Sequence, residues 1–88
     1  MKEFTFVVTD KNGLHARPAG TVASCAKKYK SEIKIYKDEK EANAKRLLSL
    51  MGLGAVCNST LKIVIDGEDE NEALAEIKRV LNENLSEG

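Results

Sequence analysis

Phe4, Phe6 and Val8 alternate with Thr5, Val7 and Thr9. That period of two predicts a strand over 3–9 with one face turned inward. The same alternation recurs at 32–37, where Ile33 and Ile35 stand against Lys34 and Tyr36, and again at Leu61, Ile63 and Ile65. A weaker strand through Ala42 and Ala44 follows the polar turn KDEK at 37–40. Helical spacing governs the rest. Ala19, Val22, Ala23 and Ala26 mark a narrow apolar face on a helix over 16–28. LLSLMGL at 47–53 predicts a two-turn helix ended by Gly52 and Gly54. A third helix spans 70–84, with Leu74, Ile77, Val80 and Leu81 inward and Glu76, Lys78 and Arg79 outward. Asp69 is placed as its N-cap, with Glu72 completing a capping box. The order βαββαβα suits a two-layer α+β fold with its helices on one side of a sheet.

Composition narrows the class. The chain has 88 residues, which fits one domain over 1–88. Net charge is zero and 32% of residues are charged. A nucleic-acid binder would carry a basic excess, so that class is disfavoured. No apolar run reaches the length of a membrane span, and MKEFTFVVTD has no secretory hydrophobic region. A cytoplasmic protein without membrane insertion is expected. Cys25 and Cys57 show no metal-ligand spacing and read as small residues in or near the core, so no metal and no cofactor are expected.

Candidate chemistry concentrates in KNGLHARPA at 11–19, which holds the only histidine and the only proline. Asn12-Gly13 marks a turn, and Pro18 is tolerated only in the first turn of the helix that follows. His15 therefore stands where the helix begins. The first amides of a helix lack internal partners, and the macrodipole adds partial positive charge, so an anion is favoured there. The same field disfavours an imidazolium, which points to a neutral, nucleophilic ring. Arg17 adds a fork of donors matched to phosphate oxygens. No carboxylate, serine or cysteine is patterned to partner His15, so hydrolysis is poorly supported. Phosphoryl transfer asks the protein mainly for positioning and charge stabilisation. The residues alone leave open a histidine that merely caps the helix.

GLHARPAG followed by a small-residue helix resembles HPr, the histidine-containing phosphocarrier family of the phosphoenolpyruvate-dependent sugar phosphotransferase system. The likeness extends to chain length, element order, the glycine-bearing second helix and DGEDENEAL at 66–74. It implies an open-faced β-sandwich, a four-stranded antiparallel sheet with three helices on one face. It also implies a relay. Enzyme I would phosphorylate His15 on Nδ1, and His15 would donate to the IIA domain of a sugar permease. Arg17 and the amides of Ala16 and Arg17 would hold the phosphoryl oxygens, and Pro18 would fix the helix start. Such a chain is a substrate and donor rather than a stand-alone catalyst, and a monomer suits a shuttle that presents one face to successive partners. The alternatives are a paralogue serving a nitrogen-related or regulatory relay, and a regulatory binding module that never carries phosphate.

A short surface helix buries only one face, yet 47–53 is apolar around most of its circumference. Leu50 and Leu53 are assigned to the core. Leu47, Leu48 and Met51 are assigned to partner docking, with Lys27 and Arg46 adding charge for an acidic partner. Position 46 departs from the resemblance. Many members from Gram-positive-type bacteria carry a regulatory serine there, phosphorylated by an ATP-dependent kinase. Arg46 accepts no phosphate and carries the opposite charge. Ser49, one helical turn on, is a weak candidate for a displaced acceptor.

Overall fold

The structure, a computed structural model, describes residues 1–85. The elements are β1 (Lys2–Val7), α1 (Ala16–Ala26), β2 (Glu32–Lys37), β3 (Lys40–Asn43), α2 (Leu47–Met51), β4 (Thr60–Asp66) and α3 (Glu70–Leu85). The strands form one sheet in the order β1-β4-β2-β3, with every neighbouring pair antiparallel.

Register follows from the alternation. Phe4 pairs with Ile63 and Phe6 with Leu61. Ile33 pairs with Ile65 and Ile35 with Ile63. The inward residues thus form continuous rows across the sheet, and a slip by one would turn each row to solvent. Ile33, Ile35, Leu61, Ile63 and Ile65 are buried beneath Ala19, Val22, Ala23 and Ala26 of α1 and Ile77, Val80 and Leu81 of α3. The opposite face stays wet. It carries Lys62 against Glu3 at 3.2 Å, and Lys34 between Glu32 at 3.2 Å and Glu41 at 3.4 Å. This is the expected open-faced sandwich.

Several boundaries move, each because a tertiary partner competes with the ladder or the helix. β1 ends at Val7, not at residue 9. The Val8 amide instead donates to the Ser59 carbonyl at 2.9 Å, and the amides of Thr9 and Asp10 both donate to the Leu85 carbonyl. β3 is centred on Ala42, while Ala44 lies beyond its end and donates to the Ile33 carbonyl. α1 stops at Ala26, where the amides of Lys28 and Tyr29 tighten onto Cys25 and Ala26. α2 stops at Met51. Gly52 keeps a right-handed φ of −65°, and the left-handed residue is Gly54. Leu74 reaches the core only partly; the buried residue of that turn is Ala73, and Glu76 is half-buried rather than fully outward.

The expected capping box is replaced. The Asp69 carbonyl accepts the Ala73 amide, as an N-cap should. Its carboxylate, however, accepts the amides of Lys30 at 2.8 Å and Ser31 at 2.9 Å. Glu70, not Glu72, reaches back, accepting the Gly67 amide at 3.2 Å.

Candidate functional site

The loop from Asp10 to His15 is built largely from its own backbone. The Asp10 carboxylate accepts the Asn12 amide at 2.8 Å, and the Asp10 carbonyl accepts the Gly13 amide at 3.0 Å. Gly13 has φ of +65°, a conformation side chains oppose. Leu14 turns inward and is buried, and its amide donates to the Ala55 carbonyl at 3.0 Å. His15 follows in an extended conformation, φ −89° and ψ −177°, as the N-cap of α1.

A donor account at this helix start explains the sequence. The His15 amide is spent on the Gly13 carbonyl at 3.0 Å. Pro18, third in the helix, has no amide hydrogen to satisfy. The amides of Ala16 and Arg17 remain without partners among the described residues, at the positive end of the helix dipole. The His15 side chain is half-buried and caps nothing, which leaves its ring nitrogens available. Arg17 is exposed, and no carboxylate among the described residues neutralises its guanidinium. An acceptor nitrogen, two free amides and an unpaired cation therefore share one helix terminus. These groups suit a phosphoryl group better than a neutral ligand.

The apolar helix divides by burial. Leu50 and Leu53 are buried, whereas Leu47 is 39%, Leu48 83% and Met51 42% exposed. Lys27, Arg46, Leu47 and Leu48 line one shallow depression together with Lys45. The Lys45 ammonium donates to the Tyr29 carbonyl at 2.8 Å, tying the C-terminal end of α1 to the start of α2. Arg46 is the N-cap of α2 and makes no side-chain cap. Ser49 is half-buried, and its hydroxyl accepts the Asn43 amide at 2.9 Å.

Val56 is 62% exposed and was not anticipated from the sequence. It sits against Gly13, where a side chain on the glycine would lie 2.8 Å from the Val56 Cα. An exposed apolar side chain thus stands beside the His15 loop. A lone valine between Ala55 and Cys57 has no periodicity to reveal it.

Cys25 is buried, with its thiol pushed up by desolvation, and Cys57 donates weakly to the Thr9 carbonyl at 3.6 Å. Among the described residues no cluster of His, Cys, Asp or Glu is placed to hold a metal ion. No helix among the described residues is long and apolar enough to cross a membrane.

The family model described as "PTS HPr component phosphorylation site" matches residues 2–83. The chain is 47% identical over 85 residues to the phosphocarrier protein HPr of Mycoplasma genitalium, covering 96% of this chain and 97% of that one. Among solved structures, it superposes with a TM-score of 0.94 on the histidine-containing phosphocarrier protein of mycoplasma, at 35% identity, covering 99% of this chain and 100% of that one. An HPr from Thermoanaerobacter tengcongensis gives 0.91 at 36% identity, covering 100% of this chain and 99% of that one. With sequence and fold in agreement over nearly the full length, the chain belongs to the HPr family, the phosphocarriers of the phosphotransferase system.

Proposed function

We propose that this chain relays a phosphoryl group from phospho-enzyme I, through Nδ1 of His15, to the IIA domains of sugar permeases, acting in the cytoplasm as a monomeric single domain. The observation that carries the reading is the coincidence of a ring that caps nothing with two amides and a guanidinium that have no partner among the described residues. In the first step the Nδ1 lone pair attacks phosphorus, the bond between phosphorus and enzyme I breaks, and an N–P bond forms. In the second step the IIA acceptor attacks and that N–P bond breaks. Both steps spread charge over the three phosphoryl oxygens. The Ala16 and Arg17 amides and the Arg17 guanidinium meet that charge in this reading.

Arg17 also serves as a charge clamp that water would otherwise replace, and Pro18 fixes the helix start. Leu47, Leu48 and Met51 supply the apolar docking contact, flanked by Lys27 and Arg46 for an acidic rim. Arg46 removes serine control at its position. Ser49 is committed to Asn43 rather than offered to a kinase.

The test is incubation with enzyme I and radiolabelled phosphoenolpyruvate. Wild type is expected to take an acid-labile, alkali-stable label that His15→Ala does not. An unlabelled wild type, or equal labelling of the variant, overturns the reading.

A further inference from the structure

One short connector joins the docking helix to the His15 loop. After α2 ends at Met51, Leu53 is buried, Gly54 turns with φ of +63°, and Ala55 is buried. The Ala55 carbonyl accepts the Leu14 amide at 3.0 Å, directly before the acceptor histidine. The same carbonyl lies under Gly13. A Cβ on Gly13 would stand 2.4 Å from that oxygen and 2.8 Å from the Val56 Cα. Both neighbours are backbone, so neither can swing aside as a flexible side chain would.

The seat is itself braced. The Ser59 hydroxyl accepts the Val56 amide at 2.9 Å, the Ser59 amide returns to the Val56 carbonyl at 3.0 Å, and the Ser59 carbonyl accepts the Val8 amide at 2.9 Å. The Asn58 amide adds a bond to the Val8 carbonyl at 2.6 Å. The segment 55–59 is thus pinned to the end of β1, and the His15 loop rests on it.

We propose that Gly13 and Ser59 are positioning residues for phosphoryl transfer. Gly13 lets the loop settle onto the Ala55 carbonyl, and Ser59 holds that carbonyl in place, so that His15 is presented at a fixed distance from the docking face. Neither residue touches the phosphoryl group. Transfer between two docked proteins needs the reacting atoms aligned to within fractions of an ångström, and small misplacements are costly. A surface that captures the partner without holding His15 in register would bind normally and transfer slowly.

The inference rests on the phosphocarrier reading, and the experiment separates the two. Transfer from phospho-enzyme I is followed by rapid quench for wild type, Gly13→Ala, Ser59→Ala and Ser59→Thr. The imidazole resonances of His15 and the folded fraction are recorded for each. Gly13→Ala and Ser59→Ala are expected to lower the transfer rate constant by about ten- to a hundredfold, with KM for enzyme I unchanged and the His15 ring resonances shifted. Ser59→Thr, which keeps the hydroxyl, is expected to restore the rate. Wild-type rates in both Ala variants, or losses that only track the unfolded fraction, overturn the proposal. If Gly13→Ala fails to fold, the Ser59 pair decides on the same criteria. A wild type that takes no phosphoryl group overturns the carrier reading instead.

Discussion

Asp69 holds Ser31 across 38 positions of sequence, its carboxylate accepting both the Ser31 amide at 2.9 Å and the Ser31 hydroxyl. Ser31 is almost wholly buried, at 1% exposure. A side chain on Gly67 would strike it, with the nearest approach 2.5 Å to the hydroxyl oxygen. The start of α3, the turn before it and the entry to β2 therefore share one polar knot.

That knot makes stability acid-sensitive. The Ser31 hydroxyl, and then the amide of Lys30, favour the charged carboxylate and hold Asp69 down at about 2. A carboxyl depressed on folding stabilises the fold above its unfolded value, near 4. The contribution drains away as pH falls from there through about 2. Melting temperature is expected to drop across that window. Asp69→Asn is expected to melt lower at neutral pH and to lose this part of the acid dependence, because an amide offers one acceptor and does not titrate. Thermal melts from pH 2 to 7 check both.

Within α2, exposure separates binding from stability. Leu48→Ala is expected to leave stability within about 0.5 kcal/mol of wild type. It should weaken docking to enzyme I by about 1–2 kcal/mol, roughly five- to thirtyfold in KM. Leu50→Ala should do the reverse, destabilising the fold by about 2–5 kcal/mol through a core cavity. Urea titrations beside transfer kinetics check the split, and a Leu48→Ala variant that docks normally would remove Leu48 from the interface.

Arg46 carries two effects of opposite sign. It caps α2 without a side-chain hydrogen bond. Serine there would supply one, so Arg46→Ser is expected to raise stability by about 0.5–1 kcal/mol. The same change removes a cation flanking the docking surface and should slow association with an acidic partner, most visibly at low salt. Stopped-flow association at two ionic strengths, with a melt of each protein, checks the pair.

Arg17 is expected to matter after docking rather than before it. Arg17→Ala should reduce the transfer rate constant by about a hundred- to a thousandfold, as loss of a preorganised donor does. Arg17→Lys should recover only part, since an ammonium lacks the planar fork. Single-turnover labelling of both variants is the measurement.

Much of the site was legible in the chain itself. His15, Arg17 and Pro18 are neighbours in sequence, and the rule that proline lacks an amide already places them at a helix start. The inward rows of Ile33, Ile35, Leu61, Ile63 and Ile65 follow from a period of two, which is local geometry. That some of Leu47, Leu48, Leu50, Met51 and Leu53 stay exposed also follows locally, because a short helix has only one side to bury; the resemblance supported assigning Leu50 and Leu53 to the core. The GLHARPAG resemblance carried the reading further, from a phosphate-suited terminus to a phosphocarrier.

Tertiary structure decided what depends on partners far along the chain. The Asp69 carboxylate binds the amides of Lys30 and Ser31 rather than those of its own helix because β2 enters beside it, and no local rule ranks those donors. Val8 and Thr9 leave the strand because the Ser59 and Leu85 carbonyls compete for their amides. Val56 is exposed on a segment, 55–59, that is pinned to the end of β1 and supports the His15 loop, which the sequence gives no period to show. Local spacing thus determined which residues face inward and where His15 sits. Which backbone group each residue finally bonds was settled only when distant segments met.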